Sequence, residues 1–168
     1  MIEIDGYKNI VRRLLSVSTL TKTGVISGID ESLNLVQKKA IELLNSQTIG
    51  LKYYYAGQVG EKINNNWVRQ PTSDKGIYVI GSLYNKSPHA AFVEFGTGIY
   101  AEKGGGDVIT PKDENNLLRF QYAGRFFNVP FVKGQHPKAY FRGARDSYEH
   151  RLLGIIGDHA RRSILGGI

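Results

Sequence analysis

The order of hydrophobic patterns along this chain predicts an α+β fold, with helices on one face of a mostly antiparallel sheet. Three observations predict it. An amphipathic helical stripe lies in the first third, short β-branched and aromatic runs fill the middle, and a second helical stripe closes the chain. Helices and strands are segregated along the sequence rather than alternating, which argues against a parallel βαβ architecture.

At the start, Ile2-Glu3-Ile4 alternates as a short strand does, and Asp5 is placed to cap a helix whose apolar positions are Ile10, Leu14 and Val17, with Val11 and Leu15 beside them. The stretch Ser16–Ser27 is rich in Ser, Thr and Gly and reads as a loop. Asp30 caps a second helix running to Asn45, because Leu33, Val36, Ala40, Leu43 and Leu44 recur on one face. Lys38, Lys39 and Glu42 fall off that stripe, so one side of this helix faces water.

The middle of the chain reads as strands. Candidates are Leu51–Val59 with its three tyrosines, Trp67-Val68, Gly76–Gly81, Leu83-Tyr84, Leu117–Tyr122 and Phe126–Val132. His89–Gly98, HAAFVEFGTG, runs apolar from Ala90 to Val93, carries one acid at Glu94 and stops at Gly96-Thr97-Gly98. It reads as a strand buried on both faces. Residues 99–116 contain Gly104-Gly105-Gly106 and several charges, and form an exposed loop. From Pro137 the helical period returns through Tyr140, Ala144, Tyr148, Leu152, Ile155, Ile156, His159 and Ile164, ending at Gly166-Gly167. The 168 residues are read as one domain, long enough to bury a core.

Composition removes several functions. With no cysteine, there is no disulfide, thiol nucleophile or cysteine-bound zinc. The opening residues lack the apolar core of a signal peptide and no window has the apolar length of a membrane span, so the expectation is a soluble chain made in the cytoplasm, with no membrane partner. The net charge of +7 raises a nucleic-acid reading. Lys and Arg are scattered, however, and only the tail from Arg142 to Arg162 is dense in arginine; Arg151, Arg161 and Arg162 are the candidate contacts to DNA or to an acidic partner.

Glu94 is the acid that most needs explaining, because an isolated buried carboxylate is costly. As a strand residue it lies on the opposite face from His89, which argues against an acid–base pair. The structural alternative is a carboxylate that accepts backbone N–H groups of a turn or pairs with an arginine such as Arg142. Neither glycine cluster precedes a P-loop Lys-Ser/Thr or a helix that would hold a phosphate. The four histidines show no HExxH spacing, and Asp146 with His150, a helical spacing that could bind metal, reads instead as a surface ion pair. Ser147 and Ser163 have no triad context. The residues therefore predict no catalytic group, no cofactor, no metal and no enzyme.

Two segments together resemble a known family. HAAFVEFGTG is similar to the Tyr/His-Ala-x-x-Val-Glu-x-Gly-Thr-Gly segment of the head–tail joining proteins of long-tailed phages, also called neck, tail-completion or minor tail component proteins. Gly134-Gln135-His136-Pro137-Lys138-Ala139-Tyr140-Phe141-Arg142-Gly143-Ala144 is similar to that family's Gly-Gln-x-Pro-x-x-Phe-hydrophobic-x-x-Ala segment, which leads into the last helix. The chain departs from the family at Ala56–Lys62, a weak echo of a Thr-Gly-x-Leu-Arg-x-Ser segment, and at Ala139, where the family has proline.

The resemblance implies a long helix packed on a curved antiparallel sheet. It also implies a structural virion protein that forms an oligomeric ring, expected to be a hexamer, at the head–tail junction. Its partners would be further copies and the neighbouring neck, stopper and tail-tube proteins, with contact to passing DNA open. Alternatives are a tail terminator capping the tube, or a basic nucleic-acid-binding module using the last helix. The structural motif is then Glu94, Gly96, Thr97, Gly98, Gly134, Gln135, Pro137 and Phe141, with Arg142 and Arg145 the expected partners of Glu94.

Overall fold

The structure, a computed structural model, describes residues 7–49, 63–76, 78–102, 106–113, 116–122 and 125–166. The expected strands at Ile2–Ile4 and Leu51–Val59 lie outside the described residues, as do Gly104 and Gly105. The protein is an α+β fold. Its elements are α1 (Tyr7–Ile49), β1 (Trp67–Asp74), β2 (Val79–Asn85), α2 (Ala90–Phe95), a 3-10 turn (Gly98–Tyr100), β3 (Leu118–Tyr122), β4 (Arg125–Val129) and α3 (Tyr140–Leu165).

Two expectations are corrected. The loop expected over Ser16–Ser27 is helical, so the two expected N-terminal helices are one continuous helix of 43 residues. Within it the hydroxyls of Thr19, Thr21 and Thr23 donate to the carbonyls four residues back, at 3.0, 2.7 and 3.0 Å, so they stay satisfied inside a helix. The run expected as a strand over His89–Gly98 is instead the short helix α2 followed by the glycine turn. The described strands form two two-stranded antiparallel sheets, β1-β2 and β3-β4. In the second, Leu118 pairs with Val129 and Phe120 with Phe127, antiparallel.

Burial along α1 follows a strict period of four. Gly24, Gly28, Ser32, Val36, Ala40 and Leu44 are all buried, forming one ridge of a kind that helices use for packing. The first half of that ridge is small or polar, so hydrophobic periodicity registers only the second half.

The chain divides into two compact units of interleaved segments. Unit 1 comprises residues 1–35, 69–82 and 148–168. Here a Cβ on Gly24 would lie 2.6 Å from the Cα of Ala160, and one on Gly28 would lie 2.6 Å from the Cα of Ile156. The glycines thus allow α1 and α3 to meet backbone to backbone, antiparallel. Glu31 and His159 join the same two helices through a short side-chain contact. The β1–β2 hairpin is tied to α1 by Lys22 to Asp74 at 2.9 Å and by the Thr72 hydroxyl to Asp30. Lys22 first, and then the Gly76 N–H, holds the Asp74 carboxyl below its ordinary range.

Unit 2 comprises residues 36–68 and 83–147. All the buried hydrophobic residues among those described lie here: Val36, Ala40, Leu44, Ile63, Val93, Tyr140 and Ala144. The Leu43 side chain comes within 3.3 Å of the position a Cβ on Gly143 would take, so α1 also meets α3 here across a glycine. Trp67 closes one side of this core, edge-on to Tyr140 and Phe141 at ring distances of 6.2 and 5.3 Å.

Candidate functional site

The two segments that carry the family resemblance meet in unit 2 and form one clasp. It is built first by backbone. The Thr97 N–H donates to the Gln135 carbonyl at 2.8 Å, the Gln135 N–H returns to the Thr97 carbonyl and hydroxyl at 3.2 and 3.0 Å, and the Ile99 N–H donates to the Lys133 carbonyl at 2.9 Å. Two irregular segments thereby satisfy each other's polar groups as strands would.

Glycine is required for that approach. Gly98 and Gly134 hold φ of 60° and 100°, where side chains are strained, and a Cβ on either would lie 2.2 or 2.0 Å from a carbonyl oxygen of the opposite segment. Gly96, with φ 77°, ends α2 and faces the Pro137 nitrogen and the Gln135 carbonyl. Tyr100 stacks on His136 with ring centroids 3.7 Å apart, covering the joint.

Glu94 lies next to it and is 5% exposed. Its Oε2 accepts the Phe141 backbone N–H at 2.9 Å, and its Oε1 accepts the Arg142 backbone N–H at 3.1 Å and Arg142 Nε at 2.9 Å. Those two backbone groups belong to the first turn of α3, where N–H groups have no partner within the helix. The residue preceding that turn, Ala139, has φ 47° and a side chain that cannot accept a hydrogen bond. Glu94 therefore caps α3 from a distant part of the sequence, placing its charge at the positive end of the helix dipole. Two further bonds fix it there: the Lys138 and Ala139 N–H groups donate to the Val93 and Glu94 carbonyls at 2.9 and 3.1 Å.

Arg142 bridges two carboxylates. Besides Glu94 it reaches Glu102 at 2.7 Å, and its guanidinium lies 5.1 Å from the Phe95 ring centroid. Glu102, then Glu94, holds the guanidinium charged well above the ordinary arginine range. Burial pushes the Tyr140 phenol up to about 12, and the Glu94 charge adds to the shift.

Of the residues singled out from sequence, Glu94, Gly96, Thr97, Gly98, Gly134, Gln135, Pro137, Phe141 and Arg142 come together in this clasp. Arg145 does not: it pairs with Asp146 at 2.7 Å, so the expected second partner of Glu94 is corrected. The two structural alternatives for Glu94, backbone N–H groups or an arginine, are realised at once, with the N–H groups supplied by α3. In unit 1, Arg151, Arg161 and Arg162 are exposed on α3. Arg151 lies over the Tyr148 ring at 5.9 Å, while Asp158 engages Arg161 at 3.8 Å and its carbonyl accepts Arg162 Nε at 3.4 Å.

Glu102 and Trp67 are part of the site and were not singled out from sequence. Glu102 sits in a loop with no periodic signal, and the single tryptophan follows an Asn-rich turn. The expected loop over 99–116 is held at its root by Glu102, whose N–H also donates to the Phe95 carbonyl at 3.0 Å. It is held again by a two-bond bridge between Ile109 and Val132 at 2.8 and 3.0 Å. Among the described residues no group of three or more His, Asp or Glu side chains could hold a metal ion, and no helix is long and apolar enough to cross a membrane. No protein-family model matches the chain, and no match was found among curated proteins or solved structures.

Proposed function

We propose that this chain is a structural virion protein, a subunit of an oligomeric ring of six copies that joins the head connector of a long-tailed phage to its tail tube. One observation carries the reading. The two segments that resemble the head–tail joining family are distant in sequence but form a single clasp, and nearly every residue of the resemblance has a structural task within it. The glycines permit the backbone approach, Thr97 and Gln135 exchange hydrogen bonds, and Glu94 caps α3. Residues used in this way serve rigidity. Glu94, with both oxygens occupied by donors, is committed to the fold rather than to a substrate.

A neck position and a tail-terminator position both fit this reading. A DNA-contacting role for α3 is the second reading; Arg151, Arg161 and Arg162 are exposed, and among the described residues only Arg161 of the three has a carboxylate beside it, Asp158 at 3.8 Å. The test is electron microscopy of lysates from a phage in which the gene is disrupted. Unjoined heads and tails, or tails of uncontrolled length, are expected; normal infectious particles would refute the proposal.

A further inference from the structure

The described arginines of unit 2 are Arg119, Arg125, Arg142 and Arg145. Arg142 holds Glu94 and Glu102, and Arg145 holds Asp146. Arg119 and Arg125 are exposed and have no carboxylate beside them among the described residues. No Asp or Glu occurs in the sequence between Glu114 and Asp146, so the β3–β4 hairpin carries positive charge that nothing within it offsets.

The antiparallel register sorts the side chains of the hairpin. Arg119 pairs with Asn128 and Gln121 with Phe126, which puts Arg119, Phe126 and Asn128 on one face. All three are exposed, Phe126 by 80%. Phe126 is the diagonal neighbour of Arg119, a separation of about 7–8 Å, and lies two residues from Asn128 on the same strand. The opposite face carries Leu118, Phe127 and Val129, all half-buried, with Phe120 stacked on Phe127 at 5.5 Å. The Phe126 face is therefore not an apolar patch. It sets one flat ring beside a guanidinium and a carboxamide.

These three groups match one kind of ligand. A guanidinium free of carboxylates attracts phosphate, an exposed ring is a stacking surface for any base, and a carboxamide both donates to and accepts from a base edge. A duplex keeps its base faces stacked on one another, so the ring selects an unpaired strand. An acidic peptide would use the arginine and leave the ring idle, and an apolar partner would have to desolvate Arg119 and Asn128 without pairing them. We propose that the Arg119–Phe126–Asn128 face of the hairpin binds single-stranded nucleic acid. Phe126 stacks on a base, Arg119 holds the adjoining phosphate and Asn128 meets the base edge. This surface belongs to unit 2, whereas Arg151, Arg161 and Arg162 belong to unit 1. The proposal does not depend on a phage location.

The test is binding of the full chain at low salt to a fluorescent oligothymidylate of about 12 nucleotides, a length such surfaces cover. The corresponding duplex, and vesicles of phosphatidylserine and phosphatidylcholine, are the competing ligands. The single strand is expected to bind, more tightly than the duplex, and the vesicles are not. Phe126→Leu keeps an apolar side chain but removes the ring, and should weaken binding about fivefold or more. Arg119→Ala should lower the salt slope by about 0.7. It should also weaken binding more than Arg125→Ala, because pairing with Tyr122 puts Arg125 on the opposite face. All three side chains are exposed, so circular dichroism should be unchanged in each variant. No binding at low salt, equal affinity for the duplex, or binding to vesicles in place of the oligonucleotide overturns the proposal. So does wild-type affinity in Phe126→Leu, or equal losses in the two arginine variants. None of these results decides the phage reading, which stands or falls on the location of the protein in particles.

Discussion

Replacing Glu94 by glutamine changes one oxygen to an NH2 group and leaves the shape of the side chain intact. The carboxylate accepts from the backbone N–H groups of Phe141 and Arg142 at 2.9 and 3.1 Å while 5% exposed. A glutamine can offer its single oxygen to one of them, and its NH2 then faces the other, donor against donor. Leaving a buried N–H unsatisfied and removing a charge-assisted cap together cost about 2–4 kcal/mol. For a chain of this size that corresponds to a fall in melting temperature of about 4–16 °C. Thermal and urea unfolding followed by circular dichroism measure it directly. Glu102→Gln is the matched control, since that carboxylate holds the same arginine from a more exposed position. A Glu94→Gln protein that melts within a degree of the wild type would refute the reasoning, because the cap would then contribute nothing.

Gly134→Ala is expected to unfold the clasp at a cost of about 1–3 kcal/mol or more, since its Cβ would lie 2.0 Å from the Thr97 carbonyl and its φ is 100°; loss of amide protection at Thr97 and Gln135 in hydrogen exchange is the readout. Gly24→Ala sets two effects against each other. Alanine adds about 1 kcal/mol of helix propensity, but its methyl would meet the Ala160 backbone at 2.6 Å, so net destabilisation in urea is expected and a gain would show that the helices do not meet so closely. Tyr140, raised to about 12, holds its proton in the folded state while an unfolded tyrosine loses its own near 10. Its contribution is thus complete below about pH 10 and declines between about 10 and 12. Ultraviolet titration should find a late-ionising tyrosine component that is lost in Tyr140→Phe, whose unfolding should be less steep across that pH window.

Elements with apolar residues at regular spacing were legible in the sequence. Leu33 to Leu44 and Tyr140 to Ile164 carry the helical period, and both are helical in the structure. The strand pair over 118–129 was marked by aromatic and β-branched residues around a turn. The link from Glu94 to Arg142 was legible too, because a buried acid needs compensation and the last helix, with its arginines, enters from the Gly134–Pro137 turn.

What was not legible depended on tertiary contact. Ser16–Ser27 reads as a loop because it is rich in Ser and Thr and holds Gly24, all weaker helix formers; in the helix, a Cβ on Gly24 would meet the Ala160 backbone of α3 at 2.6 Å. Ala90–Phe95 is too short for either period to decide, and its position is set by contacts distant in sequence: the Glu94 side chain on α3 and the Lys138 and Ala139 N–H groups on the Val93 and Glu94 carbonyls. Arg145 and Arg142 are close in sequence, but only the first turn of α3 reaches the carboxylate, which leaves Arg145 to pair with Asp146.

The proposed position of this protein is the junction where a phage head meets its tail. Gold labelling of an affinity-tagged copy in purified virions, imaged by electron microscopy, tests it directly. Label confined to the head–tail junction or the uppermost tail is the predicted result. Label on the capsid surface or the tail tip, or particles that carry no copy of the protein, would contradict it.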